Sequence, residues 1–220
     1  MNDEALEREA KRLFRRYTVE IVEGLNMCPW AETARRRSQV SESVDLARVP
    51  ELAVGAAWAR RLGEDPSVEI GFLVYPRLKT TRKAFGAHVQ VVRETYAKNP
   101  GPAGVLMAMV AFHPEPESDN HSPLDLINLI RRCPDPAIQA IRLSTLEELR
   151  MRDGTGKRFM PMSVAMALPF GAPAKRPLHE VVSVANEETI ARLGVERVGA
   201  LIGDIHRDRD ETYRALGEEP

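Results

Sequence analysis

The sequence predicts an α/β fold, with α+β as the alternative, in which a central mixed sheet of about four or five strands is packed with helices in one layered domain spanning residues 1–220. Three observations carry that expectation. Apolar runs of strand character, at 68–75 and 104–112, alternate with amphipathic helical stretches. A chain of 220 residues with 43% hydrophobic and 29% charged residues can bury one substantial core. No internal repeat, low-complexity tract or linker divides it.

In chain order, Leu6, Ala10, Leu13, Tyr17 and Ile21 recur at three- and four-residue spacings, which predicts a helix over 4–25, bracketed by Gly24 and Pro29. Cys28-Pro29-Trp30-Ala31-Glu32 reads as the start of a second, short helix, with proline at its first position and Cys28 as its cap. Residues 39–46 are a weak strand candidate, and 52–62 read as a helix. Residues 68–75 form a buried strand, 76–81 a loop and 82–98 a helix, which Asn99-Pro100-Gly101-Pro102 stops. The uninterrupted apolar run 104–112 reads as a central strand ended by His113-Pro114.

Ser122-Pro123-Leu124-Asp125 opens a further helix with Ser122 as its cap and Leu126, Ile127, Leu129 and Ile130 on its inward side. Residues 137–150 read as helical, with a strand through Ile138, Ile141 and Leu143 left open. Gly154-Thr155-Gly156-Lys157 lacks the spacing of a phosphate loop and reads as a turn. Residues 159–170 are a strand or a core-facing loop. An amphipathic helix over 195–216 follows, through Val198, Leu201, Ile202 and Ile205.

Composition narrows the function classes. A net charge of −1, 5% aromatic residues and the lack of a recognised motif argue against nucleic acid. The charged start, Asn2-Asp3-Glu4, is unlike a signal peptide, and the longest apolar run is too short to span a bilayer. Two cysteines, Cys28 and Cys133, are no disulfide framework. The cytoplasm is therefore the expected location, with no membrane partner. Oligomeric state is not indicated.

Three segments carry candidate chemistry. In Leu25-Asn26-Met27-Cys28-Pro29-Trp30-Ala31, a thiol capping a helix is favoured as thiolate, and Arg35, Arg36 and Arg37 would add positive potential. The competing reading is a small buried residue beside Trp30. In Phe112-His113-Pro114 and Asn120-His121-Ser122-Pro123, loops beyond a strand end are where α/β proteins place ligands. His113 suits acid–base work or a backbone-bonded structural role, Asn120 suits orientation or an oxyanion, and Ser122 is chiefly a cap. Arg77, Lys79, Arg82 and Lys83 crowd a helix start, which favours a neighbouring anion or a solvated basic face.

These residues resemble a bacterial family of uncharacterised proteins, the domain of unknown function numbered 1415. The resemblance rests on Leu25-Asn26-Met27-Cys28-Pro29-Trp30-Ala31, Phe112-His113-Pro114, Asn120-His121-Ser122-Pro123 and Leu129-Ile130-Arg131, in that order, over roughly residues 5–150. The family pattern has arginine where His121 stands and histidine where Asn128 stands. Residues 153–176 read as an insertion beyond the family's length. The resemblance implies no reaction, but it raises Cys28, His113, Asn120 and Arg131 as site residues.

The leading expectation is an enzyme acting on a small anionic molecule by acyl transfer or hydrolysis. Cys28 would be the nucleophile, His113 the base and Asn120 the orienting group. Asn26, Arg77, Lys79, His121, Ser122 and Arg131 would bind substrate. No cofactor is expected. A second expectation is a metal enzyme built on His113 and His121 with Cys28 or Asp119, which leaves zinc or another metal open. A third is a non-catalytic module that binds a small anion or a protein.

Overall fold

The computed structural model describes residues 3–25, 28, 30–115, 132–150 and 194–219. Its sheet has four strands: β1 Val40–Val44, β2 Ile70–Val74, β3 Met107–Phe112 and β4 Ala137–Arg142. The order is β1-β2-β4-β3, with β1 and β2 parallel and β4 antiparallel to both its neighbours. The mixed α/β sheet packed with helices is therefore as the sequence predicts.

Side-chain alternation sorts the core onto two faces. Ile70, Phe72 and Val74 of β2 meet Phe14, Tyr17 and Ile21 on one side. There the cover is α1 Asp3–Tyr17 and the long α6 Val195–Ala215, which supplies Val198, Ile202 and Ile205. Leu73 and Tyr75 point the other way, toward Trp58 and Leu62 of α3 Leu52–Glu64 and Phe85 and Val89 of α4 Arg82–Lys98. A Cβ on Gly71 would lie 2.1 Å from Leu62 Cδ1, so glycine is what lets α3 press onto β2. Two short helices complete the described chain, α2 Ala31–Arg36 and α5 Leu143–Arg150.

Four expectations need correction. The first helix is not regular to residue 25: it ends at Tyr17 and continues as a π-helical turn, Thr18–Glu23. There Thr18 Oγ1 donates back to the Phe14 carbonyl at 3.0 Å, a bond that competes with the backbone ladder, and Gly24 N donates to Val19 O at 2.9 Å. The run 104–112 is not a central strand; β3 is the edge and begins at Met107. Residues 137–142 are strand, not helix, and the helix waits until Leu143. Their weakly β-forming sequence is held by ladders on both sides. Finally, α2 starts at Ala31, not at Pro29.

Thr81 caps α4, its Oγ1 accepting from Ala84 N at 3.2 Å, and the helix keeps the predicted bounds. The C-terminal helix also keeps its predicted place. The predicted helix after Ser122, the turn at 153–156, the insertion at 153–176 and the apolar stretch 159–170 lie outside the described residues. Among the described residues no helix is long and apolar enough to cross a membrane.

Candidate functional site

Cys28 sits just beyond the π-helical turn. Its backbone N–H donates to Val22 O at 3.4 Å and its carbonyl accepts from Ala31 N at 3.2 Å. It therefore stands in the turn before α2, while Trp30 holds the cap position with no side-chain cap bond. The expected thiol cap is absent, because the helix starts two residues later than the Pro29 signal suggested. The positive potential expected from the arginines is also met locally. Arg35 grips Glu23 through two bonds of 2.7 and 2.8 Å, and Arg36 pairs with Glu32 at 2.7 Å. The thiol itself is half-buried against the α1/α6 face, in no disulfide, and bonded to no group among the described residues. Cys133 contrasts with it: it is fully buried, its Sγ donates to Asp135 O at 2.8 Å, and burial pushes its pKa well up.

His113 ends β3 and is 2% exposed. Its Nδ1 accepts the Glu115 N–H at 3.1 Å, which leaves the ring proton on Nε2, facing the Thr80 carbonyl at 3.1 Å. Burial lowers its pKa, so the ring is neutral near pH 7. Both nitrogens are consumed in tying the end of β3 to the loop before α4. That geometry matches the structural reading and offers neither a free base nor a metal ligand. The ring lies 6.0 Å from Phe85, on the α3/α4 face, whereas Cys28 packs on the α1/α6 face. The structure does not bring the two together.

The basic segment has internal partners. Arg77 is buried and donates to Glu218 Oε1 at 3.0 and 2.6 Å and to Asp3 Oδ1 at 2.7 Å. Lys79 pairs with Glu219 at 2.9 Å. The anion that meets the start of α4 is Glu115, whose carboxylate accepts the Arg82 backbone N–H at 3.0 Å. Asn26, Asn120, His121, Ser122 and Arg131 lie outside the described residues. Among those described, no group of three or more His, Cys, Asp or Glu side chains is placed to hold a metal ion.

Residues 9–152 match the model of a family described as a protein of unknown function, DUF1415. The chain belongs to this family. No curated protein and no solved structure matches it. The DUF1415 match ends before residue 153, where the sequence suggests an insertion, and it covers Cys28, His113, Arg77 and Lys79 alike.

Sequence reasoning missed two groups of polar residues in this DUF1415 chain. Asp135 is fully buried, accepting from Arg209 Nε at 2.9 Å and from the Tyr213 hydroxyl at 2.7 Å. It fastens α6 to the start of β4. The second group is Asp45, Trp58, Tyr75 and His88, each with a buried polar atom that has no hydrogen-bond partner among the described residues. The signal for it was present: Asp45 and Tyr75 immediately follow the apolar ends of β1 and β2.

Proposed function

We propose that this DUF1415 protein is an enzyme working through the Cys28 thiol, by acyl transfer or hydrolysis, on a small molecule. The observation that supports this most is the state of the thiol. Of the described residues that the sequence singled out, His113, Arg77 and Lys79 are engaged by internal partners, whereas the Cys28 thiol is partly accessible and bonds to no group among the described residues. Its setting adds to this, since π-helical turns recur at functional sites.

In such a reaction the thiol gives its proton to water, its sulfur attacks an acyl carbonyl, the C–S bond forms and the bond to the leaving group breaks. The leaving group departs with a proton taken back from water. Water or a second acceptor then cleaves the thioester and restores the thiol. The anionic character of the substrate rests on Arg131 and Asn120 in the sequence. His113 has no part in this reaction and serves to fix the end of β3.

Iodoacetamide labelling read by peptide mass spectrometry tests the proposal, with Cys133 as an internal standard. Cys28 is expected to alkylate in the folded protein while Cys133 stays protected until urea unfolds the chain. Equal protection of the two thiols would remove Cys28 from consideration.

A further inference from the structure

The end of the parallel strand pair carries a second polar cluster, on the face opposite Cys28. The β1–β2 register sets Val44 beside Val74, and Asp45 N donates to Val74 O at 2.9 Å. Val44 and Val74 both contribute to the α1/α6 face. The next residues, Asp45 and Tyr75, therefore point side by side toward α3 and α4. Tyr75 lies 5.8 Å from Phe85, and Phe85 stacks on His88 at 6.4 Å, both centroid to centroid. Trp58 of α3 belongs to the same apolar cluster as Tyr75 and Phe85.

Four elements thus deliver four polar groups to the same face of the sheet, around Phe85. Asp45 Oδ1 is used by Ala47 N at 3.0 Å, but Oδ2 is buried without a partner among the described residues. The Tyr75 hydroxyl, His88 Nε2 and Trp58 Nε1 are in the same condition, and Tyr75 and Trp58 are 0% and 1% exposed. Buried polar groups are normally satisfied, so a set of unsatisfied ones on one face of the sheet calls for a partner. The position agrees: open α/β sheets bind ligands beyond the carboxyl ends of parallel strands. Asp45 and His88 are half-buried and form the solvent side, with Tyr75 and Trp58 beneath.

We propose that this cluster is a binding site for a small primary ammonium compound carrying a neighbouring oxygen, the chemistry of an amino alcohol. Asp45 Oδ2, the Tyr75 hydroxyl and His88 Nε2 offer three acceptors to the three N–H bonds of an ammonium group. The Trp58 indole N–H supplies a donor to the adjacent oxygen. Aromatic faces at Tyr75, Phe85 and Trp58 suit a cation, and the Asp45 carboxylate disfavours an anion. Burial lowers the His88 pKa, which keeps its ring neutral and able to accept. The site does not depend on the Cys28 reading.

Titration with 2-aminoethanol, followed by NMR of the indole N–H and imidazole resonances, tests it. Trp30 is the chain's other tryptophan and packs on the α1/α6 face, so it serves as the internal reference. The Trp58 and His88 resonances are expected to shift saturably while Trp30 stays still. Methylammonium should bind more weakly and acetate not at all. Asp45→Asn and Tyr75→Phe, each first checked for folding by circular dichroism, should weaken binding roughly ten-fold or more. Absence of a saturable shift with either amine would mean that the groups are served by water alone and would overturn the proposal. Equal binding of acetate, or unchanged affinity in both variants, would do the same.

Discussion

Replacing Asp135 with alanine is expected to loosen the C-terminal helix more than any surface change could. The carboxylate is fully buried and serves two partners, Arg209 Nε at 2.9 Å and the Tyr213 hydroxyl at 2.7 Å. Arg209 is itself largely buried, its side chain 15% exposed, and its guanidinium lies 4.9 Å over the Tyr213 ring. Removing one partner of a buried ion pair costs about 3–5 kcal/mol, because the other charge stays buried and uncompensated. Arg209 keeps a bond to Asp210 at 2.9 Å, so the lower end, about 3 kcal/mol, is the better figure. Against a total stability of about 5–15 kcal/mol, that is a large fraction. Tyr213→Phe, which removes one bond to a charged acceptor, should cost about 1.5–3 kcal/mol. Urea denaturation gives both values, and hydrogen exchange along 195–215 locates the effect. Iodoacetamide should also reach Cys28 faster, since α6 covers the face on which it packs. An Asp135→Ala loss below about 1 kcal/mol, the range of an exposed ion pair, would mean that the pair is not buried and uncompensated as described.

Other predictions concern the turn before Cys28 and the buried histidines. A Cβ at Gly24 would lie 2.6 Å from the Glu20 carbonyl oxygen, a backbone atom that cannot swing aside. Gly24→Ala should therefore destabilise by about 1–3 kcal/mol. Gly86→Ala on α4, where the added methyl meets nothing within 4 Å, should stabilise by about 0.5–1 kcal/mol. Thermal or urea melts distinguish the two signs. His88, His113 and His206 all have lowered pKa values, burial being the largest cause. The unfolded chain then binds more protons below the ordinary imidazole value of about 6.5. Their contribution is complete above that pH and is lost as pH falls through the folded values. The urea midpoint should drop between about pH 7 and pH 5, and His113→Gln should flatten part of the slope. A midpoint that rises on acidification would contradict the neutral, buried assignment.

Local signals located much of the fold. The proline-rich stop at 99–102 made the end of α4 legible, and the apolar run around Ile70–Val74 made β2 so. β4 was not legible, because Ala137-Ile138-Gln139-Ala140 is neutral in preference and becomes strand only between two partners. The candidate site divides in the same way. That His113 ends a strand can be read locally, but its bond to the Thr80 carbonyl is a tertiary fact. Arg77 looked free for an anion because its partners, Asp3 and Glu218, lie at distant points of the chain. Pro29 suggested a helix start that the backbone delays to Ala31, and with it went the thiol cap.

In the proposed reaction Cys28 carries an acyl group during turnover. Brief reaction with p-nitrophenyl acetate, acid quench and peptide mapping by mass spectrometry test it most directly. A burst of p-nitrophenol is expected, with an acetyl adduct on Cys28 and none on Cys133, and with loss of both burst and adduct in Cys28→Ser. A burst that survives in Cys28→Ser, or an unmodified Cys28 beside acetylated lysines, would contradict it.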